Sequence, residues 1–128
     1  MRYSLLFQEW YEKARSDLRG AEIIFEHSGE GIDYGLVAFH CQQAIEKALK
    51  GFLLKNTNHL NEGHSLPRLC IEAITFLPKL KDYVKDCSFV GHFYIDARYP
   101  QQNRAVLRKE DAQECIDIVK KLFKLLGV

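Results

Sequence analysis

Polar side chains of the kinds that bind phosphate recur at helical spacing in the first half of the chain. They are His40, Gln43, Lys47 and Lys50. Intervals of three and four residues place side chains on one face of a helix. Lysine supplies ammonium donors, while histidine and glutamine supply directional ring and amide donors. The pattern leaves two interpretations open, a face that binds a ligand and an ordinary solvated face.

Further residues along the chain have side chains that can complete such a site. His64 stands just before Ser65, a predicted helix cap, and helix N-termini favour phosphate. Arg98 supplies a guanidinium and Tyr99 supplies a ring able to stack on a base. Structural roles compete with this interpretation, because Arg98 can pair with Glu46 or Asp96. Tyr99 can pack the end of the bundle, and His64 can hold its own loop.

Apolar periodicity predicts the helices that position these residues. The predicted segments are residues 4–26, 34–55, 66–77, 80–98 and 109–126. Asp33 and Ser65 are predicted N-caps, Pro78 interrupts the third segment, and Gly127 ends the last one. No stretch alternates with a period of two. We therefore predict one all-α domain over residues 1–128, an up-and-down bundle of four to five antiparallel helices.

The cysteines do not have the spacing of a metal site or a disulfide framework. Cys41, Cys70, Cys87 and Cys115 stand far apart, and no C-x2-C pair is present. Cys41, Cys70 and Cys115 fall in apolar helix arcs, which predicts buried free thiols. We expect neither a metal ion nor a cofactor. A triad built on Ser65 and a phosphate loop built on Gly29 and Gly31 both lack their supporting motifs.

Several motifs resemble the HEPN family of small helical domains. They are FHCQQAIEKALK at residues 39–50, ARSDL at 14–18, GHSL at 63–66 and ARYP at 97–100. The resemblance implies a helical bundle that binds a nucleotide or nucleic acid. It also implies a partner, a nucleotidyltransferase of the minimal type, in a toxin–antitoxin-like pair. The binding residues on this interpretation are His40, Gln43, Lys47, Lys50, His64, Arg98 and Tyr99.

Many HEPN proteins cleave RNA, and those carry an arginine followed after four to six residues by a histidine. Downstream of Arg98 those positions hold Asn103, Arg104 and Ala105. We therefore expect no catalytic residues and no enzymatic activity. Two alternatives remain, a metal-independent ribonuclease toxin using Arg98 with His64 or His40 as the base, and a structural adaptor without a ligand.

Composition narrows the setting without identifying a ligand. Lysine and arginine number 18 against 17 acidic residues, so charge would have to be concentrated locally for nucleic-acid binding. No apolar run approaches the length of about 20 residues that spans a bilayer, which predicts a cytoplasmic protein. Excess apolar surface predicts a homodimer. The side chains behind that prediction are Phe7, Trp10, Tyr11 and Phe25, with the apolar end of the last helix at residues 122–126.

Overall fold

The part of the chain that the structure describes forms five α-helices and one 3-10 helix. The computed structural model describes residues 3–27, 33–98 and 107–128, with side chains throughout except at 94–98, and these residues contain no strand. The helices are α1 (Phe7–Glu26), α2 (Tyr34–Thr57), α3 (Leu66–Ala73), the 3-10 helix (Pro78–Tyr83), α4 (Val84–Arg98) and α5 (Lys109–Leu126). The predicted all-α bundle is confirmed.

Helix α2 is the centre of the bundle. It contacts α1, α3, α4 and α5, and 14 of its 24 residues are buried. Helix α1 runs antiparallel to it, because Tyr11 lies beside Gly51 while the Phe25 ring lies 6.2 Å from the Tyr34 ring. A helix covered on several sides buries part of its polar arc. The interpretation as an ordinary solvated face, one of the two left open, therefore does not hold for Lys50, which is 5% exposed. Glu46 beside it is 7% exposed.

The predicted helix caps are present. The Asp33 carboxylate accepts a hydrogen bond of 2.9 Å from the backbone N–H of Gly35 at the start of α2. The Ser65 hydroxyl accepts one of 3.4 Å from the Arg68 N–H at the start of α3. Gly127 ends α5 at a φ of 80°, a conformation that glycine adopts without steric cost.

The predicted fourth helix is shorter than expected. Leu77 is extended, with φ −149° and ψ 87°, because the ring of Pro78 disfavours helical geometry in the preceding residue. The chain then makes the 3-10 helix before α4 begins at Val84. Helix α3 likewise ends at Ala73 instead of continuing to residue 77.

The first helix begins at Phe7, three residues later than predicted. The segment before it is held by its own hydrogen bonds. The indole N–H of Trp10 donates to the backbone oxygen of Ser4 at 2.8 Å, and the Ser4 hydroxyl donates to Glu9. The backbone N–H of Leu6 in turn donates to the Ser4 hydroxyl at 3.0 Å. These bonds fold the segment against the start of α1.

Most of the apolar side chains behind the homodimer prediction pack into the core of this one chain. Cys41, Cys70, Cys87 and Cys115 are all buried and free, which confirms the predicted thiols. Tyr11 is buried, while Phe7 and Phe25 pack partly buried on the core. Residues 122, 123 and 126 of α5 are buried too. Over residues 3–27, 33–98 and 107–128, none of the helices has the length and apolar character that a membrane span requires.

Candidate functional site

A buried carboxylate on α2 holds the polar residues of this face together. One Glu46 oxygen accepts from the Gln42 amide at 2.9 Å, and the other accepts from the Lys50 ammonium at 2.9 Å. His64 Nδ1 lies 3.0 Å from that second oxygen and must donate, since an ionised carboxylate only accepts. The Gln43 amide extends the network by donating to Gln42 at 2.7 Å.

The partners of Glu46 decide its charge. Burial by itself would raise the pKa of this carboxyl. The hydrogen bonds from Lys50, His64 and Gln42 outweigh burial and leave the pKa below its ordinary value. Glu46 is therefore ionised at neutral pH and acts as the fixed negative centre of the network.

Lys50 is the most unusual member of the network, because its side chain is only 7% exposed. Glu46 is its one hydrogen-bond acceptor within the described part of the chain. An ammonium carries three donors, and a buried donor without an acceptor is energetically costly. The remaining N–H groups of Lys50 are available to an acceptor in the adjoining cavity, which Lys50 lines.

This cavity has a volume of about 360 Å³ and lies between the N-terminal segment, α2 and the loop that follows α2. Its lining comprises Tyr3, Trp10, Gln43, Glu46, Lys47, Lys50, Leu60, Asn61, Glu62 and His64. Gln43, Lys47, Lys50 and His64 are thus brought together, as the sequence pattern suggested. The lining combines lysines, amides and aromatic rings with the carboxylates of Glu46 and Glu62.

Lys47 is anchored to α1. Its ammonium lies 2.6 Å from Asp17 Oδ2, a charge-assisted hydrogen bond that orients the side chain along the helix pair. His40 Nδ1 lies 3.8 Å from the other Asp17 oxygen, which is too long for a hydrogen bond. That nitrogen is buried and has no hydrogen-bond partner among the described residues. His40 is not among the residues that line the Lys50 cavity.

Two further cavities adjoin the network. One of about 570 Å³ shares Tyr3, Trp10 and Lys47 with the first and continues along α1 past Glu9 and Glu12. The other, of about 340 Å³, has polar lining that includes Gln42, His64, Ser88 and His92. His64 lines both this cavity and the one at Lys50, so the two cavities have this residue in common.

Two predicted site residues cannot be placed beside the others. The side chain of Arg98 and the whole of Tyr99 lie outside the described residues. Arg98 itself is the last residue of α4. Within the described part of the chain, no group of three or more histidine, cysteine, aspartate or glutamate side chains could hold a metal ion.

Sequence reasoning missed several residues of the site. Gln42 stands outside the predicted binding set, yet it is 1% exposed and bonds Glu46. Its signal was available, because glutamine and glutamate four residues apart on a helix form such hydrogen bonds. Trp10, Tyr3 and Asn61 reach the cavity from other segments. Helical periodicity within α2 carries no signal for residues that arrive from elsewhere.

Comparison with known families settles the relationship suggested by the motifs. The HEPN domain model matches residues 7–128. The chain belongs to the HEPN domain family. The match includes α1 to α5, so the whole bundle described above is the HEPN domain.

Solved structures agree with this assignment. TT1696 from Thermus thermophilus is similar at 28% identity with a TM-score of 0.78, covering 97% of this chain and 98% of that one. ST0689, an archaeal HEPN homologue, is similar at 28% identity with a TM-score of 0.73, covering 94% of each chain. Among curated proteins no significant match is found. The comparisons thus give the family and its helical architecture.

Proposed function

We propose that this HEPN domain is a non-catalytic module that binds the phosphate of a nucleotide or nucleic acid in the cavity at Lys50. The observation that carries the proposal is the Lys50 ammonium, buried to 7% exposure with a single acceptor among the described residues. Phosphate oxygens are strong acceptors and carry the charge complementary to an ammonium. Binding such an oxygen would satisfy donors that the described residues leave available.

The neighbours of Lys50 support the same ligand. Lys47 adds a second ammonium, which Asp17 partly neutralises, and Gln43 adds amide hydrogens. His64 adds a ring that contacts the same Glu46 oxygen as Lys50. Both oxygens of Glu46 already accept hydrogen bonds, so this carboxylate is neutralised in part by its own donors. His40 contributes indirectly, by standing next to the Asp17 carboxylate that orients Lys47. Arg98 and Tyr99 belong to the proposal as predicted members only.

Calorimetric titration with ATP tests the proposal. We expect wild-type protein to bind ATP and Lys47→Ala to weaken binding by about tenfold or more, since one charge-assisted contact is lost. Lys50→Met should weaken it further, with circular dichroism checking that the variant folds. Lys79→Ala removes the same charge from an exposed pair with Asp82 and should leave affinity unchanged. Absence of binding, or binding that neither cavity variant affects, would overturn the proposal.

The ribonuclease and adaptor alternatives are outcomes of a parallel assay. A labelled single-stranded RNA is incubated with the protein in EDTA and analysed on a denaturing gel. We expect the RNA to stay intact. Cleavage that disappears in His64→Ala would favour the ribonuclease alternative. Intact RNA together with no ATP or RNA binding would favour the adaptor.

We further propose that the domain works in a toxin–antitoxin-like pair with a minimal nucleotidyltransferase in the cytoplasm. Membership of the HEPN family supports the partnership, and four free cysteines support a reducing compartment. Co-expression with the minimal nucleotidyltransferase encoded nearest to this chain should give a complex that survives size-exclusion chromatography. Separate elution of the two proteins at micromolar concentration would contradict the partnership.

Self-association is proposed through the end of the bundle where α1 meets α2. Ile23 is 44% exposed and Leu36 is 41% exposed there, near the contact of Phe25 with Tyr34. Light scattering should give a dimer mass for wild-type protein and a monomer mass for Ile23→Glu. Ile71→Glu, at another exposed apolar position, is the control that should stay dimeric. A monomeric wild-type protein would remove the claim.

A further inference from the structure

The walls of the Lys50 cavity contain an aromatic corner that the phosphate contacts do not use. Tyr3 and Trp10 have ring centroids 6.4 Å apart and an interplanar angle of 55°, so the rings diverge from each other and are not stacked. The Trp10 N–H is already bonded to Ser4, which fixes the indole and leaves its face as the available surface. Tyr3 is 58% exposed.

This corner lines the same cavity as Lys47 and Lys50. A Cβ atom added to Gly51 would lie 3.1 Å from Trp10 Cβ, which places Trp10 against the residue that follows Lys50. Tyr3, Trp10 and Lys47 line both the Lys50 cavity and the larger cavity along α1. The two volumes, about 360 and about 570 Å³, lie within the usual size of small-molecule sites. The aromatic corner suits a flat ring system and the lysines suit phosphate, so a ligand that has both parts fits this lining.

We propose that the ligand is a free nucleotide, with its base on the Trp10–Tyr3 corner and its phosphates at Lys47 and Lys50. This rests on the phosphate site proposed above and narrows it, because it selects a single nucleotide over a strand. Bases of any kind stack on indole and phenol rings. The cavity supplies one aromatic corner, which accommodates one base.

The charges along α1 argue against a nucleic-acid strand. Beyond the aromatic corner the larger cavity is lined by the carboxylates Glu9 and Glu12, together with Lys13. A strand would carry its next phosphate toward these carboxylates, whereas strand-binding grooves are positively charged along their length. Carboxylates do suit the hydroxyl groups of a ribose and the amino groups of a base, since both are donors.

The fluorescence of Trp10 tests this assignment directly, because the chain contains a single tryptophan. Wild-type protein is titrated with ADP, with inorganic pyrophosphate and with a short single-stranded RNA, and calorimetry measures each affinity in parallel. We expect ADP to quench the fluorescence of Trp10 saturably. The dissociation constant from this quenching should equal the one that calorimetry gives. Pyrophosphate should bind with little change in emission, and the RNA should bind more weakly than ADP.

Variants separate the base contact from the phosphate contact. Trp10→Leu should weaken the binding of ADP by about tenfold, as expected for loss of one stacked base. It should leave the affinity for pyrophosphate unchanged. Retained pyrophosphate binding also shows that this variant is folded. Trp10→Phe keeps a ring and should restore most of the ADP affinity. Phe76→Leu removes a 40% exposed ring elsewhere and should have no effect.

The results distinguish failure of this inference from failure of the phosphate site. Equal affinity for ADP and pyrophosphate, with no effect of Trp10→Leu, would overturn the base contact and leave the phosphate site standing. Tighter binding of RNA than of ADP would overturn the choice of a free nucleotide. Binding of none of the three probes would overturn both proposals.

Discussion

The two carboxylate oxygens of Glu46 accept hydrogen bonds from three donors, and its side chain is only 10% exposed. Glu46→Gln keeps the shape but removes the charge that compensates the buried Lys50 ammonium. We expect this to lower the free energy of unfolding by about 3 kcal/mol at neutral pH, since an uncompensated buried charge is left behind. Urea denaturation measures the change. Glu114→Gln, at an exposed position on α5, should change stability by less than about 0.5 kcal/mol.

The difference in stability between wild-type protein and Glu46→Gln should depend on pH. The reason is the pKa of Glu46, which is lower in the folded chain than its ordinary value of 4.5. A carboxyl with a depressed folded-state pKa stabilises the protein above its unfolded-state pKa. That contribution is lost as the pH falls through the folded-state value. The wild-type advantage over Glu46→Gln should therefore hold at neutral pH and shrink below 4.5. An advantage that is constant down to lower pH would contradict the ionised network.

At this scale the sequence indicated four residues that line one cavity, but it did not indicate that one of them is buried. Gln43, Lys47, Lys50 and His64 do converge on one cavity. The helical pattern could not show that Lys50 is buried, because the covering groups come from the N-terminal segment and from the loop after α2. Burial of a polar arc depends on what packs over it, and the periodicity of one helix contains no such information.

At the scale of elements, the close approach of α1 and α2 depends on Gly51. A Cβ atom there would lie 2.8 Å from two ring atoms of Tyr11, a side chain that is only 5% exposed. Gly51→Ala should therefore lower the free energy of unfolding by about 1–2 kcal/mol, because the overlap outweighs the helix propensity gained. Thermal denaturation measures it. The variant should also weaken ATP binding, since Trp10 lies against the same glycine.

Gly20 is the matched control, since it also lies inside a helix. A Cβ atom there would meet His40 Nδ1 at 3.9 Å, an ordinary contact. Gly20→Ala should raise stability by up to about 1 kcal/mol through helix propensity alone. If both variants shift stability in the same direction, the explanation through the α1–α2 contact is wrong.

Helix boundaries were predictable where local chemistry sets them. Asp33, Ser65 and Gly127 act within a few residues of their own position, and the helices begin and end there as predicted. The 3-10 helix after Pro78 was not predicted, because the spacing of apolar residues continues through it unchanged. The start of α1 was predicted three residues too early, because the hydrogen bonds of Ser4 with Glu9 and Leu6 replace helical bonds in the segment before Phe7.

At the scale of the whole molecule, the four buried cysteines lie on four different helices. Cys41 on α2 and Cys115 on α5 are fully buried, as are Cys70 on α3 and Cys87 on α4. Burial raises the pKa of the Cys41 thiol and raises that of Cys115 to about 12. Since the thiolate is the reactive form, these two thiols can be labelled only when the bundle opens.

The corner formed by α3 and the 3-10 helix is expected to open before the rest of the bundle. Helix α3 has eight residues, of which four are buried, against 14 in α2 and eight in α5, and Ile71 and Phe76 beside the corner are 54% and 40% exposed. The corner therefore buries less apolar surface than the longer helices do. A hydrogen bond with Cys87 also lowers the pKa of Cys70. Timed labelling with a thiol reagent, followed by peptide mass spectrometry, should therefore modify Cys70 first and Cys41 and Cys115 last.

Glu46→Gln should accelerate the labelling of Cys41 and Cys115 by about a hundredfold, in proportion to the loss of global stability. Labelling of all four thiols at one rate would show instead that the corner opens only with the whole bundle.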